Sequence, residues 1–286
     1  MKPATQQKLD DLRRVLSDFG SVVVAYSAGV DSTLVLRVAH DVLGDNVLAA
    51  TGLSDTYPEE EMAEARALAQ EIGVAHVMMR TEELTDPRYA MNSHQRCFFC
   101  KNELYGKLRE LADERGITHI VDGTNADDVG DHRPGLRAAR EIGVRSPLQE
   151  VGMTKDEIRE ISNELGLRTW DKPAFACLSS RFPYGTPITV EKLKQVATAE
   201  RAIRELGFRG FRVRHHDTVA RLEVDPDDFP RVVELHSEIV AKLREAGYRF
   251  VTLDLQGYRS GSLNEGLSLT VRNSTKASVE RASAPN

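Results

Sequence analysis

The sequence predicts an α/β protein with a parallel sheet, followed by a smaller α+β region. Continuously apolar, β-branched runs such as residues 21–26 are typical of strands buried on both faces of a parallel sheet. Segments with helical spacing alternate with these runs, as right-handed crossover connections require. The chain has 286 residues, of which 41% are hydrophobic, enough for a full core and for two domains.

Each element of the α/β part is predicted from its own residues. Apolar positions at helical spacing stop before Gly20, which predicts the first helix. A loop over residues 27–32 leads to a helix ending at Gly44, and a later helix starts at Thr154, where Glu157 completes a capping box. The other predicted helices cover residues 58–72 and 98–115. The predicted strands cover residues 21–26, 47–53, 74–79 and 117–122.

The prolines mark the end of the α/β part. Residues 171–188 hold three prolines and one glycine among apolar residues, which predicts a functional loop. Beyond it the patterns predict helices over 189–206 and 228–246 and strands over 211–215, 219–224 and 250–255. We therefore expect an α/β domain over 1–170, a cysteine-containing linker over 171–188, an α+β domain over 189–270 and a disordered tail over 271–286.

Composition limits the classes of function. The chain carries 38 Lys and Arg against 44 Asp and Glu, a net charge of −6, which argues against general nucleic-acid binding. It lacks both a bilayer-spanning apolar run and a secretory signal, which predicts a cytoplasmic protein without membrane attachment. Its three cysteines cannot all pair within one chain, so they need another role.

The loop after the first predicted strand has the residues of a phosphate site. Ser27, Gly29, Val30, Asp31 and Ser32 lie between the strand predicted over residues 21–26, which includes Ala25, and a helix N-terminus, where amides and the helix dipole favour an anion. The segment resembles the S-G-G-x-D-S loop of the N-type ATP pyrophosphatases. Ala28 departs from that pattern; a positive φ there costs about 1 kcal/mol relative to glycine. The alternative is a simple turn with Asp31 as helix cap.

A second polar segment follows another predicted strand and so lies at the same edge of the sheet. Gly123, Thr124, Asn125 and Asp128 resemble the G-T-N-x-D-D segment that faces the nucleotide in the same enzymes. A polar turn is the alternative interpretation.

The cysteines admit four interpretations. Cys97 and Cys100 start a helix, where the dipole stabilises thiolates, and Cys177 lies in the proline-rich loop. They fit three ligands of a [4Fe-4S] cluster with one open iron, or a closed zinc site with His94. A redox dithiol and buried hydrophobic packing are the other two alternatives.

Four segments together resemble the LarE family of pyridinium-carboxylate sulfur transferases: the pyrophosphate loop and residues 131–135, 176–186 and 258–264. The resemblance, which runs from about residue 9 to 265, implies an adenine-nucleotide alpha-hydrolase-like (PP-loop) fold. In that family ATP adenylates a carboxylate of pyridinium-3,5-biscarboxylic acid mononucleotide, and sulfur then replaces AMP to give a thiocarboxylate for the nickel-pincer cofactor. Some members sacrifice a cysteine sulfur, and others use a cluster held by three cysteines.

The resemblance assigns roles to residues of this chain. It implies catalytic roles for Asp31, Cys177, Ser180 and Arg181, adds Arg133 to the nucleotide site, and makes the three cysteines the ligands of a [4Fe-4S] cluster. ATP and Mg²⁺ are the other implied cofactors, because Mg²⁺ neutralises the leaving pyrophosphate. Sulfide or another sulfur source and a homo-oligomeric state are implied as well.

An arginine-rich stretch is predicted to bind the substrate. Arg212 and Arg214 alternate along a predicted strand and so share a face, and their guanidinium groups suit the substrate phosphate. Alternatively they pair with Glu200 or Glu223, two glutamates that are also weak candidates for a metal site between subunits. The rival functions are a cluster-dependent tRNA thiolase and a non-catalytic adenine-nucleotide sensor.

Overall fold

Two sheets organise the chain in the computed structural model, which describes residues 1–128, 134–173, 176–259 and 261–263. Within these ranges the strands are β1 (Val22–Ala25), β2 (Val47–Leu53), β3 (Ala75–Arg80), β4 (His119–Val121), β5 (Phe211–His216), β6 (Val219–Val224) and β7 (Phe250–Leu253). The helices are α1 (Pro3–Phe19), α2 (Val30–Leu43), α3 (Glu59–Ile72), α4 (Pro87–Ala90), α5 (Arg96–Glu114), α6 (Pro134–Ile142), α7 (Pro147–Glu150), α8 (Lys155–Glu164), α9 (Val190–Glu205), α10 (Phe229–Glu234) and α11 (His236–Glu245).

The first sheet is parallel and has the order β3-β2-β1-β4. Val22 pairs with Val47 on one side and with His119 on the other, so β1 lies between β2 and β4. The segments that follow β1 and β4 therefore leave the sheet side by side at its carboxyl edge. This is the edge at which open α/β sheets bind ligands.

Strand β1 is buried on both faces, as its β-branched run predicts. Val22 and Val24 pack into a core with α1 and α2, whereas Val23 packs into the opposite core with α5. The alternation follows from the two-residue period of a strand, which sends successive side chains to opposite faces. Helices on both sides of the sheet thus fix the position of the loop that follows β1.

The second sheet has the order β5-β6-β7, with β5 antiparallel and β7 parallel to β6. Its apolar face packs on α9 and α11 through Ile203, Val213, Leu222 and Leu243. The parallel α/β class and the smaller α+β region are therefore confirmed.

Several boundaries differ from prediction. Helix α2 begins at Val30, so half of the predicted loop over 27–32 is helical. The predicted helix over 228–246 is two helices, α10 and α11, which meet at Leu235. The short helices α4 and α7 were not predicted, because four residues are too few to show a period. The predicted tail over 271–286 lies outside the described residues.

None of the helices in the described part of the chain combines the length and apolarity needed to cross a bilayer.

Replacing Leu12 of α1 by alanine is expected to lower the free energy of unfolding by about 2–5 kcal/mol. Leu12 is fully buried in the α1–α2–β1 core, so truncation removes apolar contacts and leaves a cavity. Urea unfolding followed by circular dichroism measures the change. Val233→Ala is the control, since that side chain is 67% exposed and its truncation should change stability by less than about 0.5 kcal/mol. Equal losses in the two variants would contradict the assignment of the core.

Candidate active site

A cleft of about 640 Å³ lies at the carboxyl edge of the first sheet and reaches the second sheet. Its walls combine the predicted nucleotide, sulfur and phosphate residues. Among the lining residues are Ser27, Gly29, Val30, Asp31, Asn125, Asp128, Cys97, Ser180, Arg212 and Arg214. The structure thus brings together residues that are far apart in sequence and that the sequence assigned to one reaction.

The pyrophosphate loop is held by its own hydroxyl groups. The Ser27 amide donates to Ser32 Oγ at 3.3 Å, the two serine hydroxyls lie 3.1 Å apart, and Ser32 Oγ donates to the Gly29 carbonyl. Gly29 is the N-cap of α2 and has no side chain to bind the first amides of the helix. Those amides and the helix dipole give the start of α2 the properties that favour an anion.

Ala28 adopts a positive φ, at the position where the family pattern has a glycine. Its φ is +54° and its side chain is buried. The strain expected from the sequence, about 1 kcal/mol relative to glycine, is therefore present in the loop. Ala25 is the last residue of β1 and precedes the loop. It pairs with Ala50 of β2, so its backbone is held in the sheet at this edge.

Asp31 is not the cap of α2, because Gly29 occupies the N-cap position. Its carboxylate accepts hydrogen bonds from Lys155 Nζ at 2.5 Å and from Asn125 Nδ2 at 3.3 Å. These bonds connect the segment after β1 to the segment after β4 and to the start of α8. Sequence reasoning did not identify Lys155, since no local motif indicates a contact across 124 residues.

The segment after β4 is shaped by a buried carboxylate that was also not identified. Asp122 accepts hydrogen bonds from the Thr124 amide and hydroxyl, from Tyr105 and from Ser146, at 2.8–3.0 Å. The turn continues with Asp128, whose Oδ2 accepts from the Asn125 amide at 3.1 Å. Arg133, predicted to join this site, lies outside the described residues.

Gly123 allows the two segments to touch. A Cβ atom at this position would lie 2.7 Å from the Ser32 backbone nitrogen and 3.1 Å from the Asp31 carbonyl carbon. Real Cβ contacts are not that short, and backbone atoms on both sides cannot move aside as a flexible side chain can. The glycine of the G-T-N segment is therefore required by the close approach of α2.

The three cysteines come together beside Tyr57. Cys97 and Cys100 lie in the first turn of α5, as predicted, and Cys177 precedes the short helical turn of residues 178–181. Burial, and then the charges of all three cysteines, raise the pKa of the Tyr57 hydroxyl. Burial likewise raises the pKa of the Cys97 and Cys100 thiols. The charge of Arg96, and less strongly that of Lys101, opposes the shift at Cys97, and Lys101 opposes it at Cys100.

A preformed metal site is not found among these groups. Within residues 1–128, 134–173, 176–259 and 261–263, no three His, Cys, Asp or Glu side chains adopt an arrangement that holds a metal ion. His94, the fourth ligand of the alternative zinc site, lines the cleft together with Cys97.

Arg181 fixes the segment that carries Cys177. Its guanidinium is fully buried and donates to the Glu200 carboxylate at 2.7 and 2.8 Å, and to the carbonyls of Ala176 and Cys177 and the hydroxyl of Ser180. Burial acts to raise the pKa of Glu200, but the charge and hydrogen bonds of Arg181 lower it overall. These contacts make Arg181 a positioning residue of the segment; direct contact with substrate remains a prediction.

Lys172 fastens the same segment at its other end. Its ammonium group lies 2.8 Å from Glu61 and 2.7 Å from Glu64, both on α3, and 3.3 Å from the Ala28 carbonyl. Sequence reasoning missed this lysine, which links the linker directly to the pyrophosphate loop.

Arg212 and Arg214 both line the cleft, as predicted from their alternation on β5. Arg212 lies over the Tyr258 ring at 4.8 Å and donates to its hydroxyl, and burial and the neighbouring Arg181 lower its pKa. Arg214 donates to the carbonyl of Ser180 and to Glu223, so for this arginine the alternative of carboxylate pairing is confirmed.

Glu200 and Glu223 are both bound by arginines in this chain, and the metal site between subunits stays a prediction. Both carboxylates are buried, and each of their oxygen atoms accepts a hydrogen bond from an arginine. The arginines involved are Arg181 for Glu200, and Arg214 and Arg221 for Glu223. A divalent ion would have to displace these guanidinium groups from a buried position, which is strongly unfavourable.

The fold and the cleft define a class of protein. A parallel sheet whose first strand leads into an anion-binding loop, with the G-T-N segment beside it, is the arrangement of the ATP-utilising PP-loop enzymes. In agreement, residues 6–111 match the NAD synthase family.

Relatives identify the family more narrowly. The chain is 40% identical over 254 residues to the pyridinium-3,5-bisthiocarboxylic acid mononucleotide synthase of Lactiplantibacillus plantarum, covering 88% of this chain and 92% of that protein. It is 48% identical to an uncharacterized protein of Synechocystis sp., over 92% of this chain and 99% of that one. A tRNA-specific 2-thiouridylase of Rickettsia africae is 26% identical over 54% of this chain and 52% of that protein. The chain therefore belongs to the LarE family.

Gly123→Ala is expected to weaken ATP binding by about 5- to 150-fold, since a clash with the backbone of α2 costs about 1–3 kcal/mol. Isothermal titration with a non-hydrolysable ATP analogue measures the loss. Gly106→Ala is the matched control: a Cβ at Gly106 meets no atom within 4 Å, and alanine favours the α5 helix by about 0.5–1 kcal/mol. Unchanged ATP affinity in Gly123→Ala would show that the two segments do not form one nucleotide site.

Proposed function

We propose that this chain adenylates a carboxylate of pyridinium-3,5-biscarboxylic acid mononucleotide with ATP and then replaces AMP by sulfur. The product is a thiocarboxylate for nickel-pincer cofactor biosynthesis. The observation that carries the proposal is the single cleft lined by the pyrophosphate loop, Cys97 and the arginine pair of β5. The Lactiplantibacillus relative, a pyridinium-3,5-bisthiocarboxylic acid mononucleotide synthase, supports a thiocarboxylate product of this kind.

The first step is chemically suited to the pyrophosphate loop. A substrate carboxylate oxygen attacks the α-phosphorus of ATP, an O–P bond forms, and the bond from that phosphorus to the bridging oxygen breaks as pyrophosphate leaves. Amides of the first turn of α2 and the hydroxyls of Ser27 and Ser32 stabilise the departing negative charge. Adenylation converts a poor leaving group on the acyl carbon into a good one.

Mg²⁺ suits the acidic residues of the cleft. Asp31, Asp127 and Asp128 line it and offer the carboxylate oxygens that this ion prefers. Bound there, the ion would neutralise charge on the pyrophosphate. Lys155, at 2.5 Å from Asp31, is a second cation for the same anion.

The cysteines supply the second half of the reaction in this proposal. Sulfur at the sulfide level attacks the acyl carbon, a C–S bond forms, and the C–O bond to AMP breaks. After burial, the charge of Cys177 is one of the causes that raise the pKa of the Cys97 and Cys100 thiols, and these three residues are the chain's only cysteines. Three thiolates and no fourth match a [4Fe-4S] cluster with one open iron, which would supply a place for sulfide.

The arginine pair is proposed to bind the phosphate of the mononucleotide. Arg214 contributes to the lowered pKa of Arg212, so an anion between them would offset their repulsion. Both lie on a strand supported by a packed core, which holds them in place.

Other parts of the proposal rest on the family resemblance. We propose sulfide or a related sulfur source, a cytoplasmic location and a homo-oligomeric state. The tRNA thiolase remains the second candidate, supported by the 26% identical relative. A net charge of −6 argues against it.

Release of pyrophosphate from ATP on addition of the dicarboxylate mononucleotide tests the function directly. Asp31→Ala is expected to reduce this release on the order of 100-fold, because the carboxylate that holds Lys155 and Asn125 at the loop is lost. The cysteines are separate from this contact, so iron content should stay unchanged. Asp45→Ala, an exposed position after α2, is the control.

Two results would reject the proposal. Pyrophosphate release that responds to tRNA instead of the mononucleotide would select the thiolase. ATP binding without any substrate-dependent release of pyrophosphate would indicate that the chain is a nucleotide sensor.

Cys97→Ala is expected to abolish the cluster and multiple turnover while ATP binding persists. Anaerobic enzyme, reconstituted with iron and sulfide, would be compared by metal analysis, turnover number and mass spectrometry. In the wild type, many turnovers at constant polypeptide mass are expected if Cys177 is a ligand. One turnover with loss of the mass of H₂S would show instead that Cys177 is a sacrificial donor. Full activity in Cys97→Ala would contradict the cluster assignment.

A further inference from the structure

Arg96 is a buried cation on the wall of the cleft that the proposed steps do not use. It is the first residue of α5, is only 2% exposed, and lines the cleft next to Cys97. One terminal nitrogen donates to Asn92 Oδ1, and the guanidinium lies 5.1 Å from the centre of the Tyr184 ring. Its Nε is buried and has no hydrogen-bond partner among the residues that the structure describes.

The charge of Arg96 lacks a carboxylate partner in the described part of the chain. Asn92 and Tyr184 are neutral groups, while Cys97 hydrogen-bonds the guanidinium, and the charges of Cys177 and Cys97 raise the pKa of Arg96 against the effect of burial. The buried Nε is still unsatisfied among the described residues, and a buried guanidinium that is not fully hydrogen-bonded is unfavourable. Two other cations of the cleft, Lys155 and Lys172, have carboxylate partners in this structure: Asp31 for the first, and Glu61 and Glu64 for the second. Arg96 therefore has the properties of a ligand site for an anion that enters the cleft.

The substrate of the proposed function carries three anionic groups. Its phosphate is assigned to Arg212 and Arg214, and one carboxylate must reach the pyrophosphate loop to be adenylated. The other carboxylate stays charged during this step and enters the same cleft. It too needs a cation, because a buried unpaired carboxylate would weaken binding.

The position of Arg96 suits it to bind this second carboxylate. The two carboxylates lie on ring carbons 3 and 5, so the second is held a few ångströms from the reacting one by the ring itself. Arg96 immediately precedes Cys97, whose thiol belongs to the proposed sulfur site. When the reacting carboxylate lies at the proposed sulfur site, the second carboxylate is therefore only a few ångströms away, in the region of Arg96.

We propose that Arg96 binds the ring carboxylate that is not being activated. The inference rests on the proposed function and adds the basis of its selectivity: the planar guanidinium pairs with a carboxylate through charged hydrogen bonds. A mononucleotide with a single ring carboxylate leaves Arg96 unpaired and binds more weakly. After the first sulfur transfer, the thiocarboxylate is still an anion, and it occupies Arg96 when the second carboxylate is activated.

Binding measurements without turnover test this assignment. Isothermal titration, with a non-hydrolysable ATP analogue present, would compare the pyridinium-3,5-biscarboxylate mononucleotide with the pyridinium-3-carboxylate mononucleotide. In the wild type the dicarboxylate is expected to bind about 10- to 100-fold more tightly. In Arg96→Gln this preference is expected to vanish, with little change in affinity for the monocarboxylate. Arg115→Gln, an exposed arginine at the end of α5, is the control.

Arg96→Lys is the second variant, and it is expected to keep part of the preference because it retains the charge. Unchanged binding of the ATP analogue in both variants verifies that they are folded. A preference that persists in Arg96→Gln, or equal losses for both ligands, overturns the inference. Persistence together with altered alkylation rates of the cysteines would show that the guanidinium serves the thiols instead. Failure of the wild type to bind the dicarboxylate would overturn the proposed function along with it.

Discussion

The active-site arrangement depends on one buried ion pair, between Arg181 and Glu200. The guanidinium binds the carboxylate on α9 and the carbonyls of residues 176 and 177, while Glu200 also accepts the Val213 amide of β5. One pair thus joins the cysteine-bearing segment, a helix and a strand. Removing either partner leaves an uncompensated buried charge, typically at a cost of about 3–5 kcal/mol. Its contribution here is therefore to specify where the Cys177 segment lies relative to the second sheet.

The nucleotide side of the cleft depends on a different constraint, the contact of two segments at the edge of the first sheet. Parallel strands place these segments side by side, and Gly123 permits the final approach. Asp31 then binds partners from the neighbouring segment and from α8. The sheet topology thus brings the two segments close together. The absence of a side chain at Gly123 and the hydrogen bonds of Asp31 then fix their relative position.

Much of this architecture could be predicted from local residues. The β-branched run before residue 27 predicts a central buried strand, and strands β2 and β6 match their predicted bounds residue for residue. Contacts between distant residues could not be predicted, because no periodicity reports them. Asp122, Lys155 and Lys172 were missed for this reason, although each holds a segment of the site. The break at Leu235 was missed because both helices present apolar residues at a continuous helical period.

Cys177 lies between two anchored residues, with Lys172 five positions before it and Arg181 four positions after it. A chain of five residues spans at most about 17 Å, so its sulfur cannot move far from the pyrophosphate loop that Lys172 contacts. In the proposed reaction the acyl adenylate is readily lost to water, and a sulfur site held this close to the loop would meet it at a high effective concentration. The short tether would thus favour the proposed sulfur transfer over hydrolysis, because the sulfur site that Cys177 is proposed to help form is already beside the loop when the mixed anhydride forms.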